Sequence, residues 1–296
     1  MRSIDRQTLE RLRAAFLGGE TGYWKSERDL ELYEQTFAQR IGWKWDYVLT
    51  ELKQLGWSPP GGRLLDWGCG TGIASRKYME HWGKVERLFL CDRSPEAMKF
   101  AAQQVRDVDV WLESVPPRSV DVLLISHAWT EQSDPVALPC EAEAILIVEP
   151  GSYEASRRLI ALREQLRATF HVVAPCTHQG VCGMLTPAHQ RHWCHHFATP
   201  PPEVFRNGDW ARFARIACID LRSLPLSYLV LDRRPVESRG IRAIGRARIY
   251  KAHASVLLCD ANGLREHRVD KRTQPQLYRK LKKGKVESLW LETKAP

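Results

Sequence analysis

A glycine-rich turn directly after a short apolar run is the segment with the clearest chemistry. The run ends at Asp66-Trp67, and three glycines follow at alternate positions, Gly68, Gly70 and Gly72. Glycines let the backbone adopt positive φ angles and let a ligand approach the main chain closely. Asp92 follows the next apolar run, 24 residues after Gly68, where a carboxylate can accept hydrogen bonds from ribose hydroxyls. The pattern predicts a site for a nucleotide-type cofactor, and the alternative is a tight structural turn without a ligand.

The spacing of the glycines separates two classes of cofactor. A dinucleotide fingerprint places its third glycine five positions after the first, and here that position holds Ile73. The order Asp66-x-Gly68-x-Gly70-x-Gly72 resembles motif I of Rossmann-like S-adenosylmethionine-dependent methyltransferases. The resemblance implies that S-adenosylmethionine is bound by the three glycines, by Asp66 near the methionine part, and by Asp92.

The residues that would catalyse methyl transfer are less defined. Methyl transfer needs a well-aligned nucleophile more than an acid–base pair. Amino-methylating relatives carry an Asn/Asp-Pro-Pro-aromatic motif after the fourth strand, where this chain has Ser126-His127-Ala128-Trp129. His127 is the one candidate, either as a base or as a residue that simply ends the strand. The missing motif leaves open whether the protein is an enzyme.

Three cysteines follow in a segment rich in histidine, glycine and proline. Cys176, Cys182 and Cys194 are spaced C-x5-C-x11-C, and thiolates in such a loop can converge on one metal centre. A fourth ligand is then needed, and the candidates are Cys259, Cys218 and one of the histidines. Sulfur ligands suit both zinc and an iron–sulfur cluster, and buried cysteines without a metal are the remaining alternative.

The order of these segments resembles the ribosomal small subunit methyltransferase-like family, whose mitochondrial members act in small-subunit assembly. That family joins motif I to a P-C-x-H-x-x-x-C segment, a W-C-H-F-like segment, an S-Y-L-V-L strand and a distal cysteine before a hairpin; the matching residues here are Cys176 to Cys182, Trp193–Phe197, Ser227–Leu231 and Cys259. The match runs from roughly residue 20 to the C-terminus.

The family resemblance implies a four-iron (4Fe–4S) cluster as a second cofactor. Its ligands would be the four cysteines Cys176, Cys182, Cys194 and Cys259. Three positions depart from the family pattern without removing a thiolate: Thr177, Gly183 and His196. Zinc on the same ligands is the rival metal, because four sulfur ligands are also common for zinc.

These motifs require a particular order of elements. Residues 1–58 show helical periodicity, and residues 59–235 alternate short apolar strands with helices, which is typical of a parallel sheet with crossover helices. Residues 171–203 interrupt the alternation as a Cys/His-rich insertion, and Asn262-Gly263 is a hairpin signal within 236–296. We therefore predict an α/β, Rossmann-like methyltransferase fold with three parts: an N-terminal helical region (1–58), a methyltransferase domain (59–235) and a small basic C-terminal β module (236–296).

The charge of the chain is unevenly placed. The 296 residues carry a net charge of +9, yet residues 233–296 hold 17 Lys and Arg against 6 Asp and Glu, a balance of +11. Such asymmetry suggests a polyanionic partner, most simply nucleic acid. The eight positions expected to face phosphates are Arg265, Arg268, Lys271, Arg272, Lys280, Lys282, Lys283 and Lys285.

Several classes of protein are disfavoured. No apolar run approaches the ~20 residues that span a bilayer, and the first twenty residues fit neither a secretory signal nor a transit peptide. We therefore expect a cytoplasmic protein, monomeric when free, without a membrane partner.

The predicted function combines these features. We expect an S-adenosylmethionine-dependent methyltransferase-like protein that acts on small-subunit ribosomal RNA or in assembly of the small ribosomal subunit. One alternative is a non-catalytic assembly factor that keeps the fold as an RNA-binding scaffold. The other is a small-molecule methyltransferase with structural zinc, which the basic C-terminal segment disfavours.

Overall fold

The computed structural model describes residues 5–18, 24–132, 137–237, 240–284 and 289–290. The chain forms two compact units. Unit 1 comprises Met1–Val148 and Ala198–Leu224, and unit 2 comprises Glu149–Phe197 and Pro225–Pro296. The three-part division expected from the sequence stays a prediction.

Helices make up the start of unit 1 and flank its strands. Ser26 caps one of them, because its side chain accepts a hydrogen bond from the Asp29 N–H. One π-helical segment, Glu34–Ala38, joins two helices without a break. The six helices described in unit 1 are α1 (Arg6–Leu17), α2 (Glu27–Tyr33), α3 (Gln39–Gln54), α4 (Ile73–Trp82), α5 (Pro95–Gln103) and α7 (Gly208–Ile216).

A parallel sheet forms the centre of unit 1. Its strands are β1 (Arg63–Trp67), β2 (Arg87–Cys91), β3 (Asp109–Leu112), β4 (Ser119–Ser126) and β5 (Glu141–Pro150, the last two residues of which belong to unit 2), and they lie in the order β3-β2-β1-β4-β5. Each neighbouring pair is parallel. Continuous apolar runs such as 122–125 and 144–148 are buried, as expected where helices cover both faces of a parallel sheet. The Rossmann-like fold predicted from the sequence is therefore confirmed.

Unit 2 begins with helix α6 (Tyr153–Leu166) and three short strands. Strand β8 (Pro225–Asp232) pairs antiparallel with β6 (His171–Ala174) and with β7 (His196–Phe197). The late strand predicted at Ser227–Leu231 is thus present. Between β6 and β7 the chain has two single-turn 3-10 helices, Gly183–Leu185 and Pro187–His189.

A second, antiparallel sheet completes unit 2. Its order is β11 (Gly263–Asp270), β10 (His253–Asp260), β9 (Ile241–Ile249) and β12 (Leu289–Trp290). The pairing of Asp260 with Gly263 closes the hairpin predicted at Asn262-Gly263. Helix α8 (Pro275–Lys282) covers one face, where Tyr278 and Leu281 pack on alternate residues of the strands. The predicted C-terminal β module is present.

Candidate functional site

The glycine loop of unit 1 has the backbone conformation that its sequence requires. Gly68, Gly70 and Gly72 all have positive φ angles, of 69°, 52° and 77°, a region that other residues enter only with strain. A Cβ atom at Gly68 would lie 2.5 Å from the Ala128 Cβ, and one at Gly72 would lie 2.9 Å from the Ala101 Cβ. Glycine is therefore needed at these positions both for conformation and for space.

Asp92 holds this loop at the end of β2. Its Oδ2 accepts a hydrogen bond from the Gly70 N–H at 2.8 Å, and its Oδ1 accepts one from the Ser94 N–H at 2.9 Å. The N–H groups of Gly68 and Cys69 also bond to the carbonyl of Cys91. The acidic residue predicted to bind a ribose thus lies directly against the glycine loop.

A cavity opens above the loop within unit 1. Gly68, Gly70 and Asp92 line it, whereas Asp66 and Gly72 do not. A Cβ atom at Gly70 would come 3.3 Å from the indole of Trp24. The other lining residues come from the strand ends and from the N-terminal helices: Trp24, Tyr33, Ile41, Trp67, Cys69, Thr71, Ile73, Cys91, Arg93, Ser114, Pro116, Ser126, His127, Ala128, Glu131 and Gln132.

Asp66 lies beneath the cavity and is fully buried. Its Oδ2 accepts a hydrogen bond from the Ser75 N–H in the first turn of α4, at 3.1 Å. Its Oδ1 has no hydrogen-bond partner among the described residues. Burial raises the pKa of the Asp66 carboxyl to about 7, and the nearby Asp92 raises it further, against the lowering effect of Ser75.

His127 lies at the end of β4 in a positive-φ conformation of 55°. Its N–H bonds to the Val148 carbonyl at 2.9 Å, and its Nε2 lies 3.2 Å from the Nζ of Lys44. A lysine ammonium only donates, so the imidazole accepts through Nε2 and carries its own proton on Nδ1. Burial and, secondly, the charge of Lys44 hold the pKa of His127 well below its usual range.

Lys44 was not found by sequence reasoning. It lies on α3, 83 residues before His127, between two tryptophans in a helix whose pattern indicates only packing. Trp129, the aromatic residue at the place of the missing amino-methylation motif, is 1% exposed. It therefore cannot stack on a substrate in the cavity.

The four predicted metal ligands are brought together in unit 2. Burial raises the pKa of the Cys194 thiol well above its usual range, and the next contributions come from Cys176, Cys182 and Cys259. The pKa of Cys259 is raised by burial and then by Cys176 and Cys182. Cys182, Cys194 and Cys259 pack in one apolar cluster, although Cys259 is 65 residues beyond Cys194.

Arg163 of α6 lies against this group and was also missed by the sequence reasoning. It is 2% exposed, and its Nε donates to the Cys176 Sγ at 3.3 Å. Its Nη2 donates to the carbonyls of His178 and Gly180, at 3.1 and 2.8 Å. The same guanidinium pairs with Glu164, so it links the Cys176 thiol to a carboxylate of the same helix.

Two histidines and an apolar shell surround the thiols. The Sγ of Cys259 lies 3.7 Å from the His178 Nε2, and the Sγ of Cys194 lies 3.6 Å from the His196 Nε2. The apolar side chains packed around the group are Ile160, Met184, Ile244, Leu257 and Leu264. In the parts of the chain that the structure describes, no group of three or more His, Cys, Asp or Glu residues could hold a metal ion.

Cys218, the other candidate for a fourth sulfur ligand, is not part of this group. It is exposed in unit 1, after α7, with a positive φ of 48°. Its Sγ lies 3.8 Å from the Arg215 carbonyl.

The basic residues of the C-terminal segment are mostly exposed. Two of the eight predicted phosphate contacts already have acidic partners, since Arg265 pairs with Asp260, and Arg268 pairs with Asp270 at 3.6 Å. Lys285 falls outside the described residues. The other five are Lys271, Arg272, Lys280, Lys282 and Lys283, and all are exposed.

None of the helices in the described ranges combines the length and hydropathy needed to cross a membrane.

Comparison with known proteins identifies one matching family and several solved structures of low sequence identity. The family model described as mitochondrial small ribosomal subunit Rsm22 matches residues 45–290. No curated protein is significantly similar to the chain.

Solved structures with a similar fold include methyltransferases. A putative methyltransferase from Haloferax volcanii, in a complex with the activator Trm112, is 17% identical over 79% of this chain and 99% of its own, with a TM-score of 0.40. A putative RNA methyltransferase from Pyrococcus horikoshii is 12% identical over 66% of this chain and 83% of its own, with a TM-score of 0.37. The plantazolicin methyltransferase BpumL, in complex with SAH, is 16% identical over 77% and 98% of the two chains, with a TM-score of 0.42. Likenesses at this level do not bear on the activity of the chain.

Proposed function

Because this chain belongs to the family described as mitochondrial small ribosomal subunit Rsm22, we propose that it binds S-adenosylmethionine in unit 1 and acts on the RNA or the assembly of the small ribosomal subunit. The glycine loop held by Asp92 is the observation that carries the cofactor part. The family's description names mitochondria, so the cytoplasmic location expected from the sequence has no support.

The residues of the cavity fit the proposed cofactor. Three positive-φ glycines at alternate positions have no side chains of their own, so a ligand can lie against the main chain there. Asp92 lines the cavity, and each of its two oxygens accepts one hydrogen bond, which leaves acceptor capacity for ribose hydroxyls. Gly72 and Asp66 would act from beneath, by shaping the loop and by holding the start of α4.

S-adenosylmethionine, when bound, supplies an electrophilic methyl group. The chain's own part is to hold the acceptor in line with that methyl group and to exclude water. Trp24, Tyr33 and Ile41 bring apolar surface to the mouth of the cavity. His127 lines the cavity and is the candidate proton acceptor, but its Nε2 is engaged by Lys44.

A non-catalytic role on the same scaffold is the second candidate function. The pairing of His127 with Lys44 and the burial of Trp129 favour it, because neither residue is then available to an acceptor. In that case the cofactor would stabilise unit 1 and the protein would bind RNA without modifying it.

One experiment separates the candidates. The purified chain is first titrated with S-adenosylmethionine by calorimetry, and is then incubated with methyl-labelled cofactor and either free small-subunit particles, total RNA or a metabolite extract. Label in RNA supports a methyltransferase, and binding of cofactor and particles without label supports the scaffold. Label in small molecules alone, or no cofactor binding, contradicts the proposal.

We also propose that Cys176, Cys182, Cys194 and Cys259 ligate a 4Fe–4S cluster in unit 2. The donor set is all sulfur, it is shielded by apolar side chains, and Arg163 donates a hydrogen bond to the Cys176 sulfur. The preference for a cluster over zinc rests on the family resemblance of the four cysteines, because all-sulfur ligation suits both.

The metal content tests this second proposal. Protein purified without oxygen should be brown and should contain about four iron and four sulfide per chain. One equivalent of zinc without sulfide would refute the cluster. Cys259→Ser should lose metal as severely as Cys176→Ser, whereas the matched control Cys218→Ser, on an exposed cysteine of unit 1, should keep it.

A further inference from the structure

Two turns lie side by side at one end of the antiparallel sheet of unit 2. The β9–β10 turn contains Tyr250 and Ala252, and the turn after β11 begins at Lys271. The Lys271 N–H donates to the Ala252 carbonyl at 2.9 Å, and the Tyr278 hydroxyl of α8 donates to the Tyr250 carbonyl at 2.7 Å. These bonds fix the main chain of the first turn against the second turn and the helix.

An exposed aromatic pair lies on this fixed turn. The rings of Tyr250 and His253 are stacked with their centroids 4.6 Å apart and an angle of 16° between their planes. The Tyr250 N–H donates to the His253 carbonyl at 2.8 Å, which closes the turn. Tyr250 nevertheless remains 47% exposed. A ring that is held in place and still exposed loses little entropy when another flat ring stacks on it.

Positive charge surrounds the aromatic pair. Lys251, Lys271 and Arg272 are exposed on the two turns. Asp270 faces His253 across the β10–β11 ladder, but its carboxylate already accepts from the Arg272 N–H at 2.8 Å and pairs with Arg268 at 3.6 Å. The local field is therefore positive around a surface that is aromatic at its centre.

We propose that the stacked pair of Tyr250 and His253 is a binding site for an unpaired RNA base, with Lys251, Lys271 and Arg272 on the flanking phosphates. The inference rests on the proposed function, since it assigns a contact surface for the RNA of that proposal. Aromatic stacking combined with a basic surface is how proteins bind single strands. A base within a duplex has no free face to offer, so the site should favour loops, bulges and ends.

The test uses the full chain and labelled RNA. Fluorescence anisotropy would compare a single-stranded fragment of small-subunit ribosomal RNA with a duplex of the same sequence. Tyr250→Ala should weaken binding of the single strand by about 5- to 150-fold, the range for loss of one stacked base, and should change duplex binding by less than about twofold. Tyr250→Trp should restore single-strand binding, because it restores a stacking surface.

A matched control and a second measurement keep the test sharp. Trp111→Ala removes an aromatic residue of similar exposure, 45%, from unit 1, and should leave RNA binding unchanged. Replacing Lys251, Lys271 and Arg272 by alanine should weaken the binding of both the single strand and the duplex. For the single strand, the slope of log affinity against log salt concentration should become shallower by about two units. Photo-crosslinking of 4-thiouridine RNA to the wild type should label the peptide containing Tyr250, whatever the stability of the variants.

The outcomes distinguish this inference from the proposed function. If the wild type binds RNA but Tyr250→Ala binds as tightly and no crosslink maps to the turn, the base site is refuted and the proposed function stands. Equal loss of single-strand and duplex binding in Tyr250→Ala would also refute it. If the wild type binds neither RNA nor small-subunit particles, both are refuted.

Discussion

Asp66 is a buried carboxyl group whose charge the fold disfavours. Because burial raises its pKa from 3.8 to about 7, the folded protein holds a proton on Asp66 between these pH values and the unfolded chain does not. The free energy of unfolding must then fall as pH rises through this window. The sign is opposite to that of an ion-paired carboxylate, whose stabilisation is lost on acidification.

Asp66→Asn should remove this pH dependence. The amide keeps an oxygen for the Ser75 N–H but has no proton to lose. We expect the wild type to lose stability relative to the variant between pH 4.5 and 7.5, by on the order of 3 kcal/mol in total. Urea unfolding at both pH values measures the difference. Parallel pH profiles for the two proteins would show that Asp66 is ionised in the folded state.

Gly70 combines a positive φ of 52° with a position at the cavity wall. Gly70→Val should cost about 1–2 kcal/mol of stability from backbone strain and should abolish S-adenosylmethionine binding, because the new side chain enters the cavity next to Trp24. Calorimetry measures the affinity. Gly56→Val is the control, since Gly56 has a φ of 74° and nothing within 4 Å of its Cβ position. Unchanged affinity in Gly70→Val would place the cofactor elsewhere.

At the scale of elements, the extended segment leading into β7 has two different sides, one that faces the thiol group and one that is formed by aromatic rings. Cys194 and His196 alternate with Trp193, His195 and Phe197. The first two face the thiol group or the interior, and the three rings contact one another in sequence. Successive side chains of an extended segment point to opposite sides. When Cys194 points towards the thiol group, its neighbours Trp193 and His195 must therefore point to the other side, where they pack on each other.

Helix α8 is the element that joins the antiparallel sheet to the proposed RNA surface. Leu281→Ala should cost about 2–5 kcal/mol of unfolding free energy, because Leu281 is 8% exposed and packs in the core of this sheet. Lys280→Ala, on the exposed side of the same helix, should stay within about 0.5 kcal/mol. Thermal or urea unfolding followed by circular dichroism checks both. A similar loss in the two variants would mean that α8 does not dock as described.

At the scale of the whole molecule, the two units depend on different kinds of stabilisation. Unit 1 has a parallel sheet with a continuous apolar interior, whereas the cysteine-bearing segment of unit 2 has only two single-turn helices and a two-residue strand of its own. Metal ligation contributes most where a loop has few backbone hydrogen bonds. The proposed cluster should therefore stabilise unit 2 selectively.

Removal of the metal should loosen unit 2 and leave unit 1 unchanged. After anaerobic iron chelation, we expect hydrogen exchange to quicken in residues 175–197 and in β10, where Cys259 lies, while β1 and β4 keep their protection. Mass spectrometry of peptic fragments measures this for both units in one sample. The cysteine-free strand β4 is the internal reference. Equal loss of protection in both units, or none in either, would contradict a local structural role for the metal.

Features that depend on neighbours in the chain could be predicted from the sequence. The glycine spacing, the alternation of strands and helices and the Asn262-Gly263 hairpin are local properties of the backbone. Each was enough to indicate its element, and together they gave the Rossmann-like fold with a β module and the family that the comparisons confirm. The order of the cysteines pointed to a ligand set, and that set stays a prediction.

Contacts between distant residues were decided only by the tertiary structure. Lys44 reaches His127 across 83 residues, and Tyr278 fixes the carbonyl of Tyr250 across 28. Arg163 of α6 donates a hydrogen bond to the Cys176 sulfur. The helical periodicity of this segment indicates a helix but does not indicate which residue its arginine contacts. A side chain on a helix or turn carries no local signal of the partner it meets, because the partner is chosen by how whole elements pack. The sequence alone therefore determined which backbone elements form, and packing determined which charged and aromatic groups those elements bring together.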